Sequence, residues 1–167
     1  DPSIAKKIKE IVFMGGAAMT LGNITPAAEF NIYVDPHAAN IVLNSGIPLV
    51  MLGLDVTHKV NVNDQIIYEI QQNKNISSNF FSDLMKFYSK FHRKLYQTDE
   101  TPLHDPCVIA YLINPLIFQG KFVNVQVEEE SSLTRGKTVV DWWGVTGRTP
   151  NCYVMIEADH KKFFSLL

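Results

Sequence analysis

Two short apolar runs with a capped helix between them constrain the fold most. IVFMGG (residues 11–16) ends in a glycine pair, and IPLVMLGLD (47–55) is almost wholly apolar. Such continuous runs are typical of strands buried on both faces of a parallel sheet. The intervening DPHAANIVLNSG (35–46) begins with a capping Asp-Pro pair and ends at a glycine, which predicts a helix. Strand, helix and strand with short connections form a βαβ unit.

The remaining segments extend this prediction to an open, mostly parallel α/β sheet with flanking helices. Helices are expected over about 63–73, 78–97 and 103–115, and apolar residues three and four apart give the second a wide apolar face. The last third of the chain predicts three strands and a short amphipathic helix. We find no repeats or linker-like segments, so one domain, or part of one, is expected.

Composition excludes several classes of protein. With 46% hydrophobic and 19% charged residues, the chain is neither disordered nor a coiled coil. A formal charge of −2 gives no basis for binding nucleic acid or an anionic membrane. The longest apolar runs are far shorter than the roughly 20 residues of a membrane span. Cys107 and Cys152 lie in apolar runs without metal-binding spacing, which predicts buried free thiols and suits a cytoplasmic location.

The loop GNITPAAEFNIYVDP (22–36) carries three polar side chains that need an explanation: Asn23, Glu29 and Asn31. One interpretation is local: the asparagines bond their own backbone and Glu29 faces solvent. The other is functional, because the loop follows a strand end where α/β sheets bind ligands. Carboxylate and amide groups converging there suit a polyhydroxylated ligand. Phe30 is then expected to point away and anchor the loop in the core.

His104 and Asp105 form a second candidate group. Asp105 precedes Pro106 and is expected to cap a helix, as Asp35 does before Pro36. Alternatively, the carboxylate faces a metal or hydroxyl group while the imidazole of His104 faces a leaving group.

The other histidines carry weaker signals. His92 and Tyr96 lie four residues apart on one helix face, either at the edge of the core or against a flat aromatic ligand. His37, His58 and His160 are expected on the solvated surface.

Several strings together resemble one family. FMGGAAMTLGNITPAAEFNIYVDPHAA, VMLGLDVTHKV, PLHDPCVIAYLINP and the closing TRGKTVVDWW and RTPNCYVMIEAD are similar to nucleoside hydrolases that prefer inosine, uridine or pyrimidine nucleosides. The likeness covers essentially the whole chain, but only the second half of the family pattern. The resemblance implies an α/β fold, hydrolysis of a ribonucleoside to ribose and free base, and a bound Ca²⁺.

The resemblance also implies roles for particular residues. Asn23, Glu29 and Asn31 match residues that hold the ribose, and Met14 matches a residue lining the same pocket. Asp105 matches a calcium ligand, and His104 matches a catalytic histidine on the leaving-group side. His92 and Tyr96 lie in the segment that covers the base, so they are expected to contact it.

One departure from the family pattern is an absence. The acidic N-terminal string that supplies most calcium ligands and the catalytic base does not occur in these 167 residues. We therefore expect residues 1–167 to be the C-terminal part of a single domain, partnered by a missing N-terminal half, inactive alone and prone to homo-oligomerisation. The alternative is a nucleoside-binding or structural module that has lost hydrolysis.

Overall fold

The computed structural model describes residues 2–166, apart from the side chains of Pro2, Leu95 and Tyr96. The strands are β1 (Ile11–Met14), β2 (Leu49–Leu52), β3 (Asn61–Val62), β4 (Thr101–Pro102), β5 (Phe118–Val127), β6 (Thr138–Asp141) and β7 (Cys152–Ala158). The helices are α1 (Phe30–Val34), α2 (Pro36–Leu43), α3 (Leu54–Thr57), α4 (Asp64–Gln71), α5 (Ile76–Tyr96), α6 (Pro106–Ile113) and α7 (His160–Phe164), with 3₁₀ turns at Pro2–Lys7 and Pro115–Ile117.

The main sheet has five strands in the order β1-β2-β7-β5-β6. The predicted βαβ unit is confirmed: β1 pairs in parallel with β2, with Ile11 opposite Leu49 and Met14 opposite Leu52. The α/β class with flanking helices is likewise confirmed, but the sheet is mixed. β7 is parallel to β2, whereas β5 is antiparallel to both β7 and β6.

The antiparallel pairing of β5 with β6 has a simple physical reason. A parallel crossover needs a dozen or more residues, usually with a helix, while antiparallel neighbours can be joined by a short loop. Ten residues without a helix (128–137) join β5 to β6. That connection allows β6 to return alongside β5 in the opposite direction.

The core lies on both faces of the sheet, as the apolar run of β2 predicts. Val50 and Leu52 belong to the cluster on one face, with side chains of α5 and α6. Leu49 and Met51 belong to the cluster on the other face, with side chains of α2 and β5. Alternate residues of a strand point to opposite faces, so a strand covered on both sides is apolar throughout.

Helix caps fix the connections around β2. The Asp35 carboxylate accepts a hydrogen bond of 2.9 Å from the Ala38 N–H at the start of α2, as predicted. Gly46, just after α2, has φ +77°, a conformation that favours glycine. These turns bring the carboxyl ends of β1 and β2 to the same edge of the sheet, where the loops after both strands begin.

Among residues 2–166, no helix combines the length and the apolar character needed to cross a lipid bilayer.

Candidate functional site

A cavity of about 570 Å³ opens at the carboxyl ends of β1 and β2. Seven of the eight predicted site residues line it: Met14, Asn23, Glu29, Asn31, His92, His104 and Asp105. The eighth, Tyr96, has a side chain outside the described residues. The structure thus brings two distant segments, residues 22–31 and 104–105, to one place.

Glu29 is buried, with 2% of its surface exposed, so the interpretation that it faces solvent is wrong. Its Oε2 accepts hydrogen bonds from the N–H groups of Gly16 (2.9 Å) and Ile32 (3.2 Å), and its Oε1 accepts one from Asn31 (2.9 Å). The side chain therefore caps α1 and ties it to the end of β1. An ionised carboxylate accepts about four hydrogen bonds, so these three leave one lone pair of Oε1 for a ligand.

In both Asn23 and Asn31, one end of the side-chain amide is hydrogen-bonded within the protein. Oδ1 of Asn23 accepts a 2.8 Å bond from the Phe30 N–H, which leaves its NH₂ group for a ligand. Nδ2 of Asn31 lies 3.3 Å from both the carbonyl oxygen and the sulfur of Met14, which leaves its Oδ1. The two asparagines thus offer a donor and an acceptor, respectively.

The loop holding Asn23 is folded tightly on itself. The N–H groups of Gly22 and Asn23 bond to the carbonyls of Pro26 and Ala28 at 3.1 Å. A Cβ added at Gly22 would lie 2.2 Å from the Ala28 oxygen, which no side chain tolerates. Glycine is required here because of this close approach.

Phe30 departs from its prediction. Its side chain is 51% exposed and lines the cavity instead of anchoring the loop in the core. Glu29 begins a helix at this point, and the turn of α1 directs Ile32, which is 6% exposed, into the core. The expectation for Phe30 rested on a loop conformation that the chain does not adopt.

His104 is held by a hydrogen bond from within the protein. Its Nδ1 lies 2.9 Å from Oγ1 of Thr57, a fully buried residue. Burial, aided by the nearby His58 and opposed by Asp105, lowers the pKa of His104 to about 4. The ring is therefore neutral at neutral pH, and one of its two nitrogens carries a proton.

Asp105 occupies the position before α6, but its carboxylate accepts no hydrogen bond from the described N–H groups of that helix. The expectation that Asp105 caps the helix as Asp35 does is therefore wrong. The side chain is exposed at the cavity and lies beside His104. Its oxygens are available to an ion or a hydroxyl group.

The described residues do not build a calcium site by themselves. Residues 2–166 contain no group of three or more His, Cys, Asp or Glu side chains placed to hold a metal ion. Ca²⁺ takes six to eight oxygen ligands. Asp105 supplies one carboxylate toward that number, so the ligands present here do not fit the ion without others.

Aromatic side chains form the other wall of the cavity. His92 is 8% exposed, its ring centroid lies 6.1 Å from that of Tyr88, and burial lowers its pKa. Tyr88 and Phe91 also line the cavity, one turn or less from His92 on α5. This wall is broad enough to face a flat ring.

His58 was expected on the solvated surface, and its position at the cavity was missed. It is exposed, but it lines the cavity, and its ring lies 5.7 Å from that of His104 in an edge-on arrangement. The available signal was its place in LDVTH, just after the carboxyl end of β2. His37 and His160 are exposed as predicted.

Comparison with known proteins gives consistent matches. Residues 1–165 match the family described as inosine-uridine preferring nucleoside hydrolase. The chain is 47% identical over 167 residues to the pyrimidine-specific ribonucleoside hydrolase RihA of Salmonella paratyphi B, covering 99% of this chain and 53% of that protein. It is 43% identical over 166 residues to an uncharacterised protein of Schizosaccharomyces pombe, covering 99% of this chain and 54% of that protein.

Solved structures agree. A purine-preferring ribonucleoside hydrolase from Gardnerella vaginalis matches with a TM-score of 0.87 and 31% identity, over 98% of this chain and 52% of that one. The plant nucleoside hydrolase PpNRh1 matches with a TM-score of 0.89 and 29% identity, over 99% of this chain and 54% of that one. The chain spans about half the length of the relatives that it matches. By sequence and by fold, it belongs to the inosine-uridine preferring nucleoside hydrolase family.

Proposed function

We propose that this chain forms the ribose- and base-facing side of a nucleoside hydrolase, which cleaves the N-glycosidic bond of ribonucleosides to give ribose and a free base. One observation carries the proposal: the loop 22–31 and the pair 104–105 face the same cavity of about 570 Å³. We further propose that residues 1–167 are the C-terminal part of a single domain, since the chain spans about half of its relatives.

Three side chains would hold the ribose. The NH₂ group of Asn23 donates to a sugar oxygen, while Oδ1 of Asn31 and the remaining lone pair of Glu29 accept from hydroxyl groups. Because all three are already hydrogen-bonded to the backbone, they are held in place before the sugar binds. Little ordering is then lost on binding.

The same groups favour the transition state. Loss of the base develops positive charge on the sugar, as in other glycoside hydrolyses with an oxocarbenium-like transition state. A fixed, buried carboxylate such as that of Glu29 interacts more strongly with the charged sugar than with the neutral substrate. Such preferential interaction accelerates the chemical step.

The base would lie against Tyr88, Phe91 and His92, whose rings suit a flat heterocycle. His104 would assist its departure as a neutral hydrogen-bond donor, because its pKa of about 4 leaves little imidazolium at neutral pH. The matched relatives are described as pyrimidine-specific in one case and purine-preferring in another.

We assign to Asp105 the role of one calcium ligand, with the other ligands supplied from outside the described residues. This fits its exposed carboxylate at the cavity and the absence of a metal-binding cluster in residues 2–166. Two buried free thiols, Cys107 and Cys152, suit a cytoplasmic protein.

The test is calorimetry of the 167-residue chain with uridine and inosine, beside a chromogenic riboside assay with and without Ca²⁺. We expect ribonucleoside binding that Asn31→Ala weakens and Asn79→Ala, an exposed change on α5, leaves intact. We expect no turnover by the chain alone. Absence of binding by folded wild-type chain would contradict the proposal.

A second candidate is a nucleoside-binding module without hydrolytic activity, favoured by the lack of a metal-binding cluster among residues 2–166. Adding the unmatched part of RihA to the chain separates the two. Calcium-dependent cleavage by the mixture supports the enzyme, and binding without cleavage supports the module.

A further inference from the structure

Residues 53–57, which contain α3, contact the segments that form two sides of the cavity: the loop after β1 and His104. On one side, the N–H of Leu54 donates a 2.9 Å hydrogen bond to the carbonyl of Gly16. A Cβ added at Gly53 would lie 2.7 Å from that same oxygen, so the two backbones touch directly. We call residues 53–57 the brace.

Asp55 binds the loop that carries Asn23. Its Oδ2 accepts from the N–H of Ala18 (2.6 Å), and its Oδ1 accepts from those of Met19 (2.8 Å) and Thr20 (3.0 Å). Three consecutive backbone donors thus converge on one carboxylate. A carboxylate accepts with both of its oxygens, whereas an amide in its place turns an NH₂ group toward at least one N–H.

Thr57 binds His104 on the other side. The two side chains meet through Oγ1 and Nδ1 at 2.9 Å, and Thr57 is fully buried. When the hydroxyl donates to Nδ1, the ring proton must lie on Nε2. The nitrogen that remains for the cavity is then a hydrogen-bond donor.

We propose that Asp55 and Thr57 are positioning residues that set the two ends of the site from one rigid turn. Asp55 fixes the loop that presents Asn23 to the sugar, and Thr57 fixes the orientation and tautomer of His104 toward the base. Neither is among the residues that line the cavity, so each acts through another residue. The catalytic meaning of the brace rests on the proposed function.

The test for Thr57 is the tautomer of His104, read from ¹⁵N shifts of the ring at one fixed pH above the ordinary pKa of histidine. We expect the Nε2–H form in the wild-type chain, a mixture of tautomers in Thr57→Val, and recovery in Thr57→Ser. Thr101→Val is the matched control, because Thr101 is also fully buried but bonds to Ser89. An Nδ1–H ring in the wild type, or an unchanged tautomer in Thr57→Val, overturns the assignment.

The test for Asp55 is hydrogen exchange at the amides of residues 18–20, together with ribonucleoside affinity. In Asp55→Asn, we expect exchange faster by about tenfold or more and a similar rise in Kd, with the tautomer of His104 unchanged. Asp83→Asn, an exposed change on α5, is the control. Unchanged exchange, or faster exchange with unaltered Kd, contradicts the positioning role.

In an assay in which hydrolysis occurs, such as the mixture with the unmatched part of RihA, the two variants should also differ in turnover. Thr57→Val is expected to lower kcat with little change in KM, and Asp55→Asn to raise KM. If the wild-type chain binds no ribonucleoside, the proposed function is refuted but the contacts of the brace are not. The tautomer of His104 and the exchange rates of residues 18–20 test those contacts without a substrate.

Discussion

At the scale of the residue, Glu29 has a structural role and, in the function that we propose, a binding role as well. Its three backbone hydrogen bonds hold α1 against the end of β1, and one lone pair remains for a sugar hydroxyl. Two of the three bonds are buried, and hydrogen bonds to a carboxylate are stronger than those between neutral groups. We therefore propose that stability and ribose binding depend on the same carboxylate.

Replacing Glu29 with Gln should impair both. The new NH₂ group faces at least one backbone N–H, so we expect a loss of about 1–3 kcal/mol in the free energy of unfolding. Ribonucleoside affinity should fall by about tenfold or more. Urea denaturation and calorimetry measure the two effects, with Glu130→Gln, an exposed change, as control. Wild-type stability in Glu29→Gln would show that these bonds contribute little.

The buried His104 predicts a pH dependence of stability. Its pKa is 6.5 in its ordinary state and about 4 in the folded protein, so acid protonates the unfolded chain first. The contribution of His104 to the free energy of unfolding should be constant well above pH 6.5 and fall as the pH drops from 6.5 to about 4. We expect a loss of roughly 2 kcal/mol, less than full linkage gives because the ring borders solvent. Denaturation curves measured across this pH range give the free energy of unfolding at each pH. In His104→Gln its dependence on pH should be weaker than in the wild type, and an identical dependence would contradict the assignment.

At the scale of the element, α5 has two apolar faces. Met85 is 4% exposed and packs in the core with Phe81 and Tyr88. Phe80 and Phe87, on the other face, are 69% and 77% exposed. An ordinary surface helix is apolar on one face only.

The two faces should respond differently to truncation. Met85→Ala should cost about 2–5 kcal/mol in the free energy of unfolding, because it opens a cavity in the core. Phe87→Ala should change the free energy of unfolding by less than about 0.5 kcal/mol in dilute solution, because the exposed ring contacts few other residues. Equal losses in urea denaturation would mean that the second face is also covered.

Local signals predicted the elements well. The continuous burial of β2, the Asp-Pro start of α2 and the glycine after it depend on residues within one turn or one strand, so the sequence suffices there. The antiparallel pairing of β5 with β7 was missed because these two strands are not consecutive in the chain and the sequence carries no local signal for their pairing. Phe30 was misplaced because the short helix α1 arises from the Glu29 cap and has little propensity signal of its own.

In the candidate site, too, local sequence features could be predicted and contacts between distant segments could not. The polar residues of loop 22–31 and the pair His104–Asp105 are visible as unusual groups in the sequence. The contacts of Asp55 and Thr57 are not, because each joins segments more than thirty residues apart. His58 was set aside since a histidine beside a lysine usually lies on the surface.

At the scale of the whole molecule, much apolar surface is uncovered. β1 is an edge strand of the main sheet formed by the described residues, and Phe80, Phe87 and Leu116 are among the exposed apolar side chains. Exposed edges and apolar patches of this kind promote association. The chain also spans about half of its relatives.

We therefore expect the chain alone to self-associate in a concentration-dependent way. Light scattering coupled to size exclusion should show species larger than a monomer, and Phe80→Ser with Phe87→Ser should reduce them if α5 contributes. Lys86→Ser, on the same helix and exposed, serves as control. A monodisperse monomer at all concentrations would contradict this expectation.

In the function that we propose, one ribonucleoside occupies a cavity lined by two separate segments of the chain. The most direct measurement is titration of ¹⁵N-labelled chain with uridine or inosine, followed by NMR shifts of assigned residues. We expect the NMR signals of Asn23, Asn31 and His104 to shift together, with one common Kd. Shifts confined to one segment, or different Kd values for the loop and the histidine, would contradict it.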